Sequence, residues 1–179
     1  MSRIRKAGIA CACLVLAGTV TAVGILASTA APALADTDTG STEAHVDVSS
    51  SIVLTDLTPS FTLSGAPGET VTTGATPVTM TVTTNNFAGY TVTVVPRTAN
   101  LTPAIVGNTD VIPATTLEVQ GPAQGGAYVH LTQGPLVVAT KDTASSTDGD
   151  SITNNYRITI PFVRPDIYSG ALDYVATTL

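Results

Sequence analysis

Beyond residue 45, this chain is dominated by short runs in which every second residue is apolar. Val78, Met80 and Val82 alternate with Thr79, Thr81 and Thr83, and Tyr90, Val92 and Val94 alternate with Thr91 and Thr93. Tyr156, Ile158, Ile160 and Phe162 alternate with Arg157, Thr159 and Pro161. A period of two places one set of side chains on a single face of a strand and scatters the same set around a helix. Threonine and valine, stiff at χ1, suit a pleated surface. Glu, Lys and Gln are scarce, so long helices have little to build from. The pattern predicts an all-β chain with one face of each strand apolar and the other wet.

Turn residues separate these runs. Val46, Val48, Ile52 and Leu54 predict a first strand, and Phe61 and Leu63 a short second one before Gly65-Ala66-Pro67-Gly68. The runs 78–84 and 90–94, joined by Asn85-Asn86-Phe87-Ala88-Gly89, predict a β-hairpin. Leu117 with Val119, Val129 with Leu131, and Leu136 to Ala139 predict three more strands, followed by a polar loop from Lys141 to Asp150. Pro161 has no N–H for a ladder, which predicts an edge or a bulge for the 156–162 strand. The last strand is expected from Ala171 to Thr178. Roughly eight or nine short strands at this spacing predict an antiparallel two-sheet sandwich, Ig-like in kind, with a small barrel as the alternative.

The amino terminus predicts export. Arg3, Arg5 and Lys6 precede a long apolar stretch ending in Pro32-Ala33-Leu34-Ala35, the small-x-small pattern of a signal-peptidase site. Cleavage between Ala35 and Asp36 divides the chain into a signal helix (1–35), a flexible leader (36–43) and one β-domain (44–179). The stretch is long enough to span a bilayer, so an uncleaved anchor is the alternative; its Gly, Thr, Ser and Ala favour removal, which leaves no transmembrane anchor. Cys11 and Cys13 both lie in this segment, too close to the charged region for a lipoprotein signal. The processed chain then has no cysteine, and with it no disulfide, thiol nucleophile or thiolate metal site. No sortase-type tail is expected at the carboxyl end.

After processing, four basic residues (Arg97, Lys141, Arg157, Arg164) stand against thirteen acidic ones, a formal charge of −9. Nucleic acid and anionic lipid call for clustered Lys and Arg, so neither is an expected partner. Catalytic groups are sparse. His45 sits beside the leader and His130 on an outward strand position, and no G-x-S-x-G elbow occurs. Glu43, Glu69 and Glu118 fall near loops or on outward positions, which argues against a paired-carboxylate glycosidase. No catalytic residue and no organic cofactor is therefore expected. The candidate metal ligands are Asp148 and Asp150, with Asp142, Asn154 and Asn155 near, an oxygen set suited to calcium; an acidic Asp-Gly turn is the alternative. Asn100-Leu101-Thr102 matches a glycosylation acceptor.

Two segments carry a family resemblance. Thr81-Val82-Thr83-Thr84-Asn85-Asn86-Phe87-Ala88-Gly89-Tyr90-Thr91-Val92-Thr93-Val94 resembles the first motif region of the WxL-type surface proteins of Gram-positive bacteria. Tyr168 to Thr178 resembles the second, which closes that family's domain. Tyr90-Thr91-Val92 and Tyr174-Val175-Ala176 stand where Trp-x-Leu is expected, and the chain has no tryptophan. The resemblance implies a secreted, non-catalytic module held at the cell wall without a covalent bond, with Tyr90 and Tyr174 as candidate surface-binding aromatics. Their alternative role is to head core-facing strands. The expected partner is a cell-wall polymer or another surface protein, including a second copy. A self-assembling pilus, fibre or coat subunit is the second expectation, and a secreted hydrolase the third.

Overall fold

The structure, a computed structural model, describes residues 37–179. The expected signal and its cleavage site lie outside the described residues. The chain divides into two units at His45–Val46. The described part of the first, residues 37–45, is exposed and forms no strand.

The second unit is all-β, with antiparallel pairing throughout. Its strands are β1 (Ile52–Thr55), β2 (Thr70–Thr72), β3 (Val78–Thr84), β4 (Tyr90–Pro96), β5 (Asn100–Pro103), β6 (Ile112–Pro113), β7 (Glu118–Gln120), β8 (Val129–His130), β9 (Leu136–Lys141), β10 (Asp150–Thr159), β11 (Tyr168–Ser169) and β12 (Leu172–Thr178). One sheet runs β1-β3-β10-β7-β8, with β2 beside the far half of β10. A second runs β12-β4-β9, and a third, β11-β5-β6, prolongs the β4–β12 ribbon. The inward residues of the first two sheets share one core: Val78, Met80, Val82, Ile152 and Tyr156 from one, Tyr90, Val92, Val94 and Val138 from the other. This is the packing of a sandwich.

Four expectations need correction. The runs 78–84 and 90–94 are strands but not a hairpin. β3 pairs with β1 and β10, whereas β4 pairs with β12 and β9, so residues 85–89 form an arch that carries the chain across the core. Both apolar faces meet through the core instead of lying side by side. Gly89 makes the arch possible: its φ is +97°, and a Cβ there would run into the Lys141 carbonyl. The 156–162 strand is neither edge nor bulged. β10 is central, flanked by β3 and β7, and stops at Thr159, before the proline. Phe162 is left 95% exposed.

The first strand is shorter than expected. β1 starts at Ile52, and Val46 and Val48 are 86% and 73% exposed. The chain is held only from Ser49 onward: the Asn85 side chain donates to the Ser49 carbonyl (2.9 Å) and accepts from the Ser51 N–H (2.8 Å). Before that point no neighbouring strand among the described residues offers a ladder. Phe61 and Leu63 form no strand either. They lie in a strap, residues 57–65, that leaves β1 through Asp56 in the left-handed region (φ 53°). With β2, β5, β6 and β11 added, the described chain has twelve strands, several of them two to four residues long.

A candidate binding groove at one end of the sandwich

Register defines two ends. At one, Ile52 pairs with Thr84, Tyr90 with Thr178, and the 142–149 loop leads into Asp150. At the other, Pro96 pairs with Leu172 and Thr70 with Thr159. β1 runs beside β12 without ladder pairing. Beyond β1 the strap diverges from the segment that leads into β12, and a groove of about 830 Å³ opens between them. That size suits a ligand or an inserted segment.

The two walls are held differently. The strap is pinned at Thr58, whose N–H donates to the Thr79 carbonyl and whose Oγ1 accepts from the Thr79 N–H, both at 2.9 Å. The chain is pinned again just beyond the strap, where the Gly68 N–H donates to the Ile160 carbonyl at 2.8 Å. Between the pins Phe61 turns inward and stacks on Tyr156, with ring centroids 4.6 Å apart. The opposite wall is built around Asp166. Its carboxylate accepts from the Ala104, Ile105 and Ile167 N–H groups and from Asn108 Nδ2. Burial alone would raise this carboxyl, but those donors outweigh it and hold it below the usual carboxylate range.

The floor is apolar, from Val78, Ile112, Leu117 and Ile158. Tyr174 closes one side. Its hydroxyl meets the Tyr156 hydroxyl at 2.5 Å and accepts from Asn154 Nδ2 at 3.4 Å. Burial pushes the phenol pKa of both tyrosines upward, so both stay neutral at ordinary pH. Asn154 Oδ1 is buried with no partner among the described residues.

The residues singled out from the sequence are dispersed. Tyr174 lines the groove. Tyr90 is 3% exposed at the other end and donates to Asp150 Oδ2 at 3.0 Å, so its ring faces the core. Burial first, then the hydrogen bond to Asp150, pushes its pKa up to about 12. Asp150 also accepts from Lys141 Nζ (2.8 Å) and the Ser146 N–H (3.2 Å). Burial opposes ionisation of this carboxyl, but the three donors prevail and depress its pKa. Asp148 is exposed in the adjoining turn. Among the described residues no three His, Cys, Asp or Glu side chains converge as a metal set. His130 is exposed, with Nδ1 3.0 Å from the Thr115 carbonyl. Glu118 receives both guanidinium arms of Arg157, which also lies 4.2 Å over the Tyr128 ring.

All four basic side chains among the described residues are engaged this way: Arg97 with Asp173, Lys141 with Asp150, Arg157 with Glu118 and Arg164 with Asp110. Periodicity did not mark the groove as such: Phe61 and Leu63 in the strap read as a short strand, and the 163–171 wall is irregular; Tyr174 was the one groove residue singled out for binding, as a large aromatic near the start of a strand. Comparison with protein-family models and with curated proteins finds no match to this chain.

Proposed function

We propose that this protein is an exported, non-catalytic β-sandwich module of Ig-like kind that acts at the cell surface or cell wall, in the manner of the WxL-type proteins, and that the groove is its binding face. The observation that carries the reading is the groove itself: an apolar floor, one wall stapled by Asp166 and one loosely pinned strap suit binding. The signal-like amino terminus supports export. With every described cation already ion-paired, the surface offers little to a polyanion. A neutral wall glycan or a peptide segment suits it better.

The test is co-sedimentation of the processed chain with isolated Gram-positive walls across a salt series. Saturable binding that survives high salt, and that is lost on replacing the exposed rim residues Ser60 and Ser169 by Arg, supports the reading. Failure to co-sediment at any salt concentration overturns it.

Self-assembly is the second reading. It is favoured by Val46 and Val48, which carry strand alternation yet stand exposed and, among the described residues, unpaired.

A further inference from the structure

Val46 and Val48 sit one strand repeat apart, so in an extended chain they share one face. Neither is covered, and Val46, Asp47 and Val48 make no hydrogen bond among the described residues. The chain thus presents a short strand with no sheet. It emerges at the Asn85 end of the sandwich, where that side chain clamps Ser49 and Ser51.

The groove lies at the other end, and it offers what such a strand lacks. Among the described residues, β12 pairs with β4 alone. The Ala171 carbonyl accepts from the Arg97 N–H, and the Leu179 N–H donates to the Gly89 carbonyl. Hydrogen-bonding positions alternate along an antiparallel ladder, so Leu172 and Tyr174 direct their own N–H and C=O groups to the open edge. Their side chains meanwhile pack toward the core. A slot with an apolar floor and a free backbone rim matches an extended peptide better than a compact ligand.

We propose that residues 46–48 of one copy insert as a strand into the 57–65/163–174 groove of a second copy. Within one copy the donor segment leaves from the end remote from the groove, so the contact is head-to-tail. Such a heterologous contact does not close on itself with two subunits and propagates as a ring or filament. The inference rests on the self-assembly reading and names its donor and acceptor.

The experiment uses the processed chain, which on the export reading contains no other cysteine. Sedimentation velocity over a concentration series is expected to show species beyond the dimer, as an open-ended series for a filament or one closed oligomer for a ring. Val46→Asp with Val48→Asp weakens that association by about a hundredfold or more. Both side chains are exposed in the single copy, so thermal unfolding of the dilute variant stays at the wild-type temperature. Mixing Val48→Cys with Ser169→Cys under mild oxidation gives a disulfide-linked heterodimer. A wild-type chain that stays monomeric at millimolar concentration, a double variant that assembles as wild type does, or Val48→Cys cross-linking only to itself overturns the proposal. Wall co-sedimentation by a strictly monomeric protein would remove this pairing and leave the surface-module reading standing.

Discussion

The hydroxyls of Tyr156 and Tyr174 meet at 2.5 Å across the core, one from central β10 and the other from edge strand β12 of the facing sheet. They form a polar bolt, with the buried Asn154 beside it, through a largely apolar layer. Tyr156 is fully buried and its hydroxyl has that one partner among the described residues. Tyr174 also holds the Asn154 amide. The two positions are therefore unequal.

Tyr174→Phe strands the Tyr156 hydroxyl and the Asn154 amide together and is expected to cost about 1–3 kcal/mol. Tyr156→Phe costs less, because Tyr174 keeps Asn154. The double variant costs less than the sum of the two. Chemical denaturation of the four chains in a double-mutant cycle checks the ordering; additive losses would show that the hydroxyls are not coupled.

Gly121 is required for space, not for conformation. Its φ of −113° suits any residue. A Cβ there would collide with Asn154 Oδ1 and lie 2.7 Å from the Val138 carbonyl. Gly121→Ala is expected to destabilise by about 1–3 kcal/mol, the usual cost of overpacking. Gly134→Ala, where a Cβ meets nothing within 4 Å, should stay within about 0.5 kcal/mol of wild type. Equal unfolding midpoints for the two variants would contradict this.

Stability should be flat near neutrality and fall toward acid. Arg157 holds the Glu118 carboxyl below its usual range, and Lys141, Ser146 and Tyr90 do the same for Asp150 against the opposing effect of burial. A depressed native pKa means that the unfolded chain takes up protons first on acidification. The associated stability is present above the unfolded values, about 4, and is lost as pH falls through the native ones. Tyr90, raised to about 12, has the opposite sign. Its contribution is intact below about pH 10, the unfolded value, and is lost as pH rises toward 12. Urea midpoints from pH 2 to 11 check both limbs, and Glu118→Gln and Asp150→Asn should flatten the acid one.

Calcium should leave the thermal midpoint unchanged. Both Asp150 oxygens already accept hydrogen bonds, and a metal would have to displace Lys141. A scan with millimolar calcium and another with chelator test this; a rise of several degrees with calcium would support Asp148 and Asp150 as ligands.

The arch at residues 85–89 shows how far pattern reading reaches. Thr-Val alternation located β3 and β4 and named their buried faces: Val78, Met80, Val82, Tyr90, Val92 and Val94 are all in the core. It did not distinguish a hairpin from an arch, since both require two alternating strands and a turn. Pro161 likewise marked where pairing stops without showing that the strand before it is central. Of the groove, only Tyr174 was legible as a binding residue.

By itself, the sequence determined that this is a β-chain, where most strands run and which side of each is apolar. Those properties follow from the two-residue repeat of the extended backbone and from the contrast between Val or Ile and Thr. The tertiary structure alone decided which strands are neighbours, that β1 shortens to Ile52–Thr55 and that the sandwich splits open beside Leu172 and Tyr174. Strand pairing joins residues far apart in the chain through backbone groups that every residue shares. Local alternation therefore favours one alternating partner hardly more than another, and the choice falls to how the whole core packs.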